Sequence, residues 1–130
     1  MGRFAVLERL LDSVILIDHF NGIPQATEFL LSIDPEKTAI SVISYAEILT
    51  GLDENEEKKA RPLLKRYEML EIDAVVAEKA AMLRRRHGWK LPDAFQAAIA
   101  LSRGILLCTR NTRDFNPQKY AFVEIPYTLR

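Results

Sequence analysis

Short apolar runs alternate with longer stretches of helical periodicity along the chain. Runs rich in Val, Ile and Leu occupy residues 6–11, 38–43, 70–72, 105–108 and 122–125. The segments between them are long enough for helices, and this alternation predicts an α/β fold. The expected architecture is a three-layer sandwich, with a central, mainly parallel five-stranded sheet flanked by helices. Periodicity is clearest late in the chain. Val76, Ala80, Leu83 and His87 recur at helical spacing and Gly88 follows as a stop, which predicts a helix over 74–87. Pro92 opens the next helix, where its missing N–H is no loss, and Phe95, Ala98, Ile99 and Ser102 mark one face before Gly104. Ala26, Phe29, Leu30 and Ile33 give residues 25–33 an apolar stripe. Pro62 interrupts the helical stretch 54–69, which predicts a kink or two shorter helices.

Composition narrows the class. A chain of 130 residues that is 48% hydrophobic fits one globular domain over 1–130, with no linker, repeat or low-complexity tract to divide it. Lys plus Arg and Asp plus Glu are 18 each, so there is no global basic field and any nucleic-acid contact must use a local patch. Cys108 is the sole cysteine, which excludes an intramolecular disulfide, and no CxxC or HxxH cluster offers a soft-metal site. Asp12 and Asp18 interrupt the most apolar segment, so neither a secretory leader nor a membrane span is expected, and a reducing cytoplasm fits best.

The acidic residues carry the candidate chemistry. In open α/β sheets ligands bind beyond the carboxyl ends of the strands, and four acids fall at or just after such ends: Asp12, Glu47, Asp93 and Asp114. Each has a structural alternative. Asp12 suits the N-cap of a helix over 13–20, and Ser44 with Glu47 reads as a capping box. Asp93 suits a first helical turn, and Asp114 a turn within 111–117. Gathered in one pocket, the four would repel, raise their pKa values or bind a cation, and an all-oxygen set favours Mg²⁺ or Mn²⁺ over zinc.

These residues lie in segments that resemble a known family. The stretch Leu10-Leu11-Asp12-Ser13-Val14-Ile15-Leu16-Ile17-Asp18-His19-Phe20 is similar to the opening of a PIN-domain ribonuclease. Ser41-Val42-Ile43-Ser44-Tyr45-Ala46-Glu47-Ile48-Leu49-Thr50-Gly51, then Leu91-Pro92-Asp93-Ala94, then Thr109-Arg110-Asn111-Thr112-Arg113-Asp114-Phe115 follow in the family's order. Size and order resemble the VapC-type toxins of type II toxin–antitoxin systems.

The resemblance implies a PIN-like fold and a Mg²⁺- or Mn²⁺-dependent endoribonuclease that inhibits translation by cleaving tRNA or another structured RNA. It implies Asp12 and Asp93 as the main metal ligands, with Glu47 and Asp114 completing or orienting the site and Ser13, Thr109 and Asn111 in support. The family's last acid falls at the position of either Asn111 or Asp114, and Asp114 is the choice here. Val14 departs from the pattern, standing where the family often has Asn or Ser. The resemblance also implies a homodimer and a VapB-like antitoxin whose tail fills the groove, with the 25–33 stripe either part of that surface or buried on this chain's own sheet.

RNA needs cations at the rim of an acidic pocket, and Arg110 and Arg113 are the candidates. Arg84, Arg85, Arg86 and Lys90 form the densest basic run, but also suit a helix C-terminus. Trp89 either stacks on a base or plugs the core. His19 and His87 are assigned to packing or helix ends, and Asp18 to a solvated or structural role. Two alternative functions stand beside the nuclease: a non-catalytic PIN-like module binding RNA or a partner, and a phospho-receiver-like signalling domain.

Overall fold

A computed structural model describes residues 6–129. Five strands, β1 (Arg9–Leu11), β2 (Thr38–Ser41), β3 (Glu68–Leu70), β4 (Leu106–Cys108) and β5 (Val123–Glu124), form one sheet in the order β3-β2-β1-β4-β5. All four pairings are parallel. The helices are α1 (Ser13–Phe20), α2 (Pro24–Ser32), α3 (Val42–Thr50), α4 (Glu54–Leu64), α5 (Ala74–His87) and α6 (Leu91–Arg103), and a 3₁₀ turn at Pro35–Lys37 leads into β2.

Alternation along the strands makes the three layers. Successive side chains of a strand point to opposite faces. Leu10, Ala39 and Leu107 therefore enter one core with α5 and α6, while Leu11, Ile40 and Cys108 enter the other with α1–α4. Strands covered on both sides read as continuous apolar runs, the pattern that betrayed them in the sequence. Fully buried Ala94, Ala97, Ala98 and Ala100 bring α6 close to the sheet. Gly88 and Gly104 end α5 and α6 at φ +73° and +65°, a left-handed conformation that costs a β-carbon-free residue nothing.

Several element boundaries depart from the sequence expectation. The first run, expected from Val6, pairs only from Arg9, and Val6 is largely exposed. The second strand stops at Ser41, not Ile43, because Ser41 caps α3: its Oγ accepts the Ser44 N–H at 3.1 Å. The third is Glu68–Leu70 and not 70–72; as an edge strand it exposes Glu68 and Met69, which removes the apolar signature. Pro62 does not split its helix. It lies in the last turn of α4, which ends at Leu64, so the missing hydrogen bond terminates the helix. On α6, Ser102 is exposed and Gln96 takes a buried position instead.

Candidate active site

Across β1 the topology switches: β2 and β3 lie on one side, β4 and β5 on the other. Such a switch point opens a crevice beyond the strand ends. Here it is a cleft of about 440 Å³ lined by Asp12, Ser13, Val14, Glu47, Pro92, Asp93, Gln96, Arg110, Asn111, Thr112 and Arg113.

Asp12 follows β1 and occupies the N-cap position of α1, yet its side chain makes no capping bond. It is 8% exposed. The carboxylate accepts from Thr109 Oγ1 at 2.8 Å. Burial pushes its pKa up, and the polar groups of Thr109, Gln96 and Ser13 around it only partly offset that. Thr109 is itself positioned at the end of β4, where its Oγ1 accepts the Asn111 N–H at 3.1 Å.

Glu47 does not fold back on Ser44, because α3 begins at Val42 and puts Glu47 in the helix interior. Its Oε1 accepts from Ser13 Oγ at 2.9 Å, which ties α3 to the start of α1. Asp93 lies in the first turn of α6. Its pKa is pushed up to about 6, by burial first and then by Asp12, Asp114 and Glu47, with Lys90 opposing. A helix N-terminus ordinarily favours a carboxylate; repulsion and burial win here. Asp114 sits beside the cleft wall, close enough for its field to reach Asp93. Asn111 holds it twice, donating from Nδ2 to Asp114 Oδ2 at 3.0 Å and accepting the Asp114 N–H on Oδ1 at 3.2 Å. The structure thus makes Asn111 a brace for Asp114.

Among the described residues no group of three or more His, Cys, Asp or Glu side chains is close enough together to hold a metal ion by itself. The cleft instead offers separate carboxylates, with the pKa of Asp93 raised by burial and by the other three acids, and no histidine or thiol lines it. That donor set fits a hard cation which takes one or two carboxylates and keeps several waters, as Mg²⁺ does.

Arg110 has another partner. Its Nε and Nη2 donate to Asp18 at 2.7 and 2.9 Å, and Tyr127 donates its hydroxyl to the same carboxylate at 2.8 Å. Arg110, expected as an RNA contact, thus forms a clamp between α1 and the loop after β4 through buried Asp18, while its side chain also lines the cleft. Arg113 is exposed at the cleft. Trp89 plugs the core: it is buried, stacks on His87 at 4.2 Å and donates from Nε1 to the Asp114 carbonyl at 3.1 Å. His19 pairs with Thr27 Oγ1 at 2.8 Å, a packing role. Arg84, Arg85, Arg86 and Lys90 are all exposed, and Arg84 also donates to the Trp89 carbonyl. The 25–33 stripe is occupied by this chain, with Ala26 and Leu30 buried and Phe29 and Ile33 packed on the same core.

Sequence reasoning missed Gln96, Ser41 and Ser44, all buried behind the acids, and Tyr127. Gln96 stands three residues after Asp93, on the same side of the helix and amid alanines. A lone polar residue on an alanine face was the available clue.

The PIN domain family model matches residues 9–119, and the chain belongs to that family. Ribonuclease VapC10 of Mycobacterium tuberculosis is 31% identical over 112 aligned positions, an alignment that covers 82% of this chain and 84% of that protein. A toxin–antitoxin complex from Klebsiella pneumoniae contains a chain that superposes with a TM-score of 0.86 at 34% identity, covering 94% of this chain and all of that one. A DNA-bound VapBC from Salmonella typhimurium shares the fold at 22% identity and a TM-score of 0.74, over 84% of this chain and 90% of that one.

Proposed function

We propose that this protein is the toxin of a VapC-type pair, a divalent-metal-dependent endoribonuclease acting through Asp12, Glu47, Asp93 and Asp114. The observation that carries this reading is the electrostatics of Asp93, a carboxyl facing a cleft whose pKa is lifted to about 6 by burial and three further acids. Charge held together at such cost is most simply explained by a cation that relieves it. The relatives named as a ribonuclease and as toxin–antitoxin complexes support RNA as substrate and a VapB-like antitoxin as partner.

Asp12 and Asp93 would hold Mg²⁺ or Mn²⁺, with Glu47 and Asp114 completing or orienting the set. Such an ion supplies a more acidic water and neutralises charge on the scissile phosphate. The protein's own residues do the rest. Thr109 fixes Asp12, Ser13 fixes Glu47, and Asn111 fixes Asp114. Glu47, exposed at the cleft, is placed to take a proton from the attacking water. Arg113 provides the rim cation for a neighbouring phosphate, since Arg110 is committed to Asp18.

The test is cleavage of total tRNA by the purified protein in Mn²⁺ or Mg²⁺, with and without EDTA. Metal-dependent scission lost in Asp93→Asn supports the reading. RNA that binds but survives in every metal would favour a non-catalytic binding module.

A further inference from the structure

The cations of the α5–α6 turn have no part in the site described so far. Residues 81–92 carry four of them, Arg84, Arg85, Arg86 and Lys90, and no acid. The dipole of α5 accounts for cations in its last turn. It does not account for Arg113 and Lys119, which are exposed on two further segments and join the same surface. Trp89 is the staple that brings these segments together. Its carbonyl accepts from Arg84 Nη1 at 2.6 Å, and its Nε1 donates at 3.1 Å to the carbonyl of Asp114, the neighbour of Arg113. Its ring meets edge-on, at 5.3 Å, that of Tyr120, the neighbour of Lys119, and the Tyr120 hydroxyl lies 3.3 Å from His87 Nδ1 at the end of α5. Arg113 lines the cleft, and Lys90 immediately precedes the first turn of α6, whose Pro92 and Asp93 line it too. The cations therefore form one ridge continuous with the cleft rim.

Among the described residues none of the six enters an ion pair, the pairs being formed by Arg9, Arg61 and Arg110. Charge is segregated in this chain: Asp53, Glu54, Glu56 and Glu57 gather at the start of α4, which packs on the other face of the sheet.

We propose that the ridge is a second RNA-binding surface, which holds phosphates flanking the scissile bond while the cleft holds the bond itself. Exposed, unpaired cations offset the repulsion that a polyanion meets at an acidic cleft. The ridge contacts backbone and not bases, because Trp89 is buried among His87, Phe115 and Tyr120 and offers no face to a base. RNA is held there whatever its sequence, and the choice of bond is left to the cleft. This rests on RNA as the substrate proposed above.

The experiment measures binding of a fluorescein-labelled tRNA transcript in EDTA over a range of salt. Compared are the full-length wild type, the ridge variant Arg85→Gln/Arg86→Gln/Lys119→Gln, and Lys58→Gln/Lys59→Gln/Lys65→Gln, which removes the same charge from exposed positions on and just after α4. Arg84 is left in place for its bond to Trp89. The ridge variant should lose about 2 from the slope of log K against log salt, at about 0.7–0.9 per phosphate contact, and bind at least about tenfold more weakly at low salt. The α4 variant should stay within about threefold of wild type. An unrelated RNA of equal length should show the same loss in the ridge variant. Unchanged affinity and slope in that variant overturn the proposal and leave the ridge to an acidic protein partner. Equal losses in both variants, or a loss confined to one RNA sequence, overturn it as well.

If the triple variant does not fold, Lys119→Glu decides, since Lys119 stands in a turn outside any helix. It should lower the slope by about 1, and an unchanged slope overturns the ridge. Wild type that binds RNA through the ridge and never cuts it would keep the ridge and remove the nuclease reading. Wild type that cuts RNA while the ridge variant binds it normally removes only the ridge.

Discussion

Asp18 and Asp93 border the same sheet edge and meet opposite electrical fates. Asp18, near the end of α1, is 5% exposed, and burial alone would lift its pKa; two guanidinium nitrogens of Arg110 and the Tyr127 hydroxyl overcome that and hold it below the ordinary carboxylate value. Asp93 is half-buried and has carboxylates for company, so burial and repulsion act in one direction. The first arrangement joins α1, the loop after β4 and the C-terminal segment, which is what a structural ion pair does. The second stores unfavourable charge where solvent and ligand can reach it, the usual mark of a functional site. Burial raises both; the opposite signs follow from the partners, a guanidinium beside Asp18 and carboxylates beside Asp93.

The contrast can be broken from either side. The largest effect should come from Asp93→Asn, which keeps the shape and removes the charge: RNA cleavage should drop more than about 100-fold in a metal-saturated assay. Next is Asp18→Ala, which leaves Arg110 and Tyr127 without their shared acceptor. Breaking a buried pair is severe, but Arg110 is a third exposed, so the loss should be about 2–3 kcal/mol in urea denaturation. A loss below about 0.5 kcal/mol would mean that the clamp is only a surface contact.

Titration of the metal-free protein separates the two acids by sign. Asp93 binds its proton more tightly folded than unfolded, so it favours folding at low pH and costs stability as pH rises from about 4 to about 6. The full shift is worth at most about 3 kcal/mol, and screening at a partly exposed group leaves about 1–2 kcal/mol. Asn at position 93 should abolish that slope and make the metal-free protein more stable at pH 7 by a similar amount. Asp18 runs the other way, its stabilisation being present above the unfolded pKa near 4 and lost as pH falls through the lower folded value. The smallest effect should be at the rim: Arg113→Ala should weaken RNA binding a few-fold and reduce the slope of log K against log salt by about 1. Arg110→Ala should instead lower stability, and an unchanged melting temperature there would return Arg110 to the phosphate contacts.

Much of this was written in the chain. Period-two and period-3.6 patterns act locally, so α5 and its glycine stop could be read directly, as could the order of strands and helices. The rule that parallel sheets bind ligands beyond their strand ends pointed towards the cleft, although Glu47 lies inside α3 and Asp93 on α6. Edges were harder to read: β3 exposes Glu68 and Met69, and Ser41 ends a strand and caps a helix with one hydroxyl.

Sequence by itself determined the layered α/β fold and the order of its elements, because each follows from neighbours along the chain. Only the tertiary structure decided who pairs with whom. Arg110 meets an acid 92 positions away, Tyr127 meets the same acid across 109, and Gln96 reaches back 55 to Ser41. Hydrogen bonds and ion pairs act over a few ångströms of space whatever their separation in sequence, so whether an acid is neutralised or left charged is settled when the chain closes.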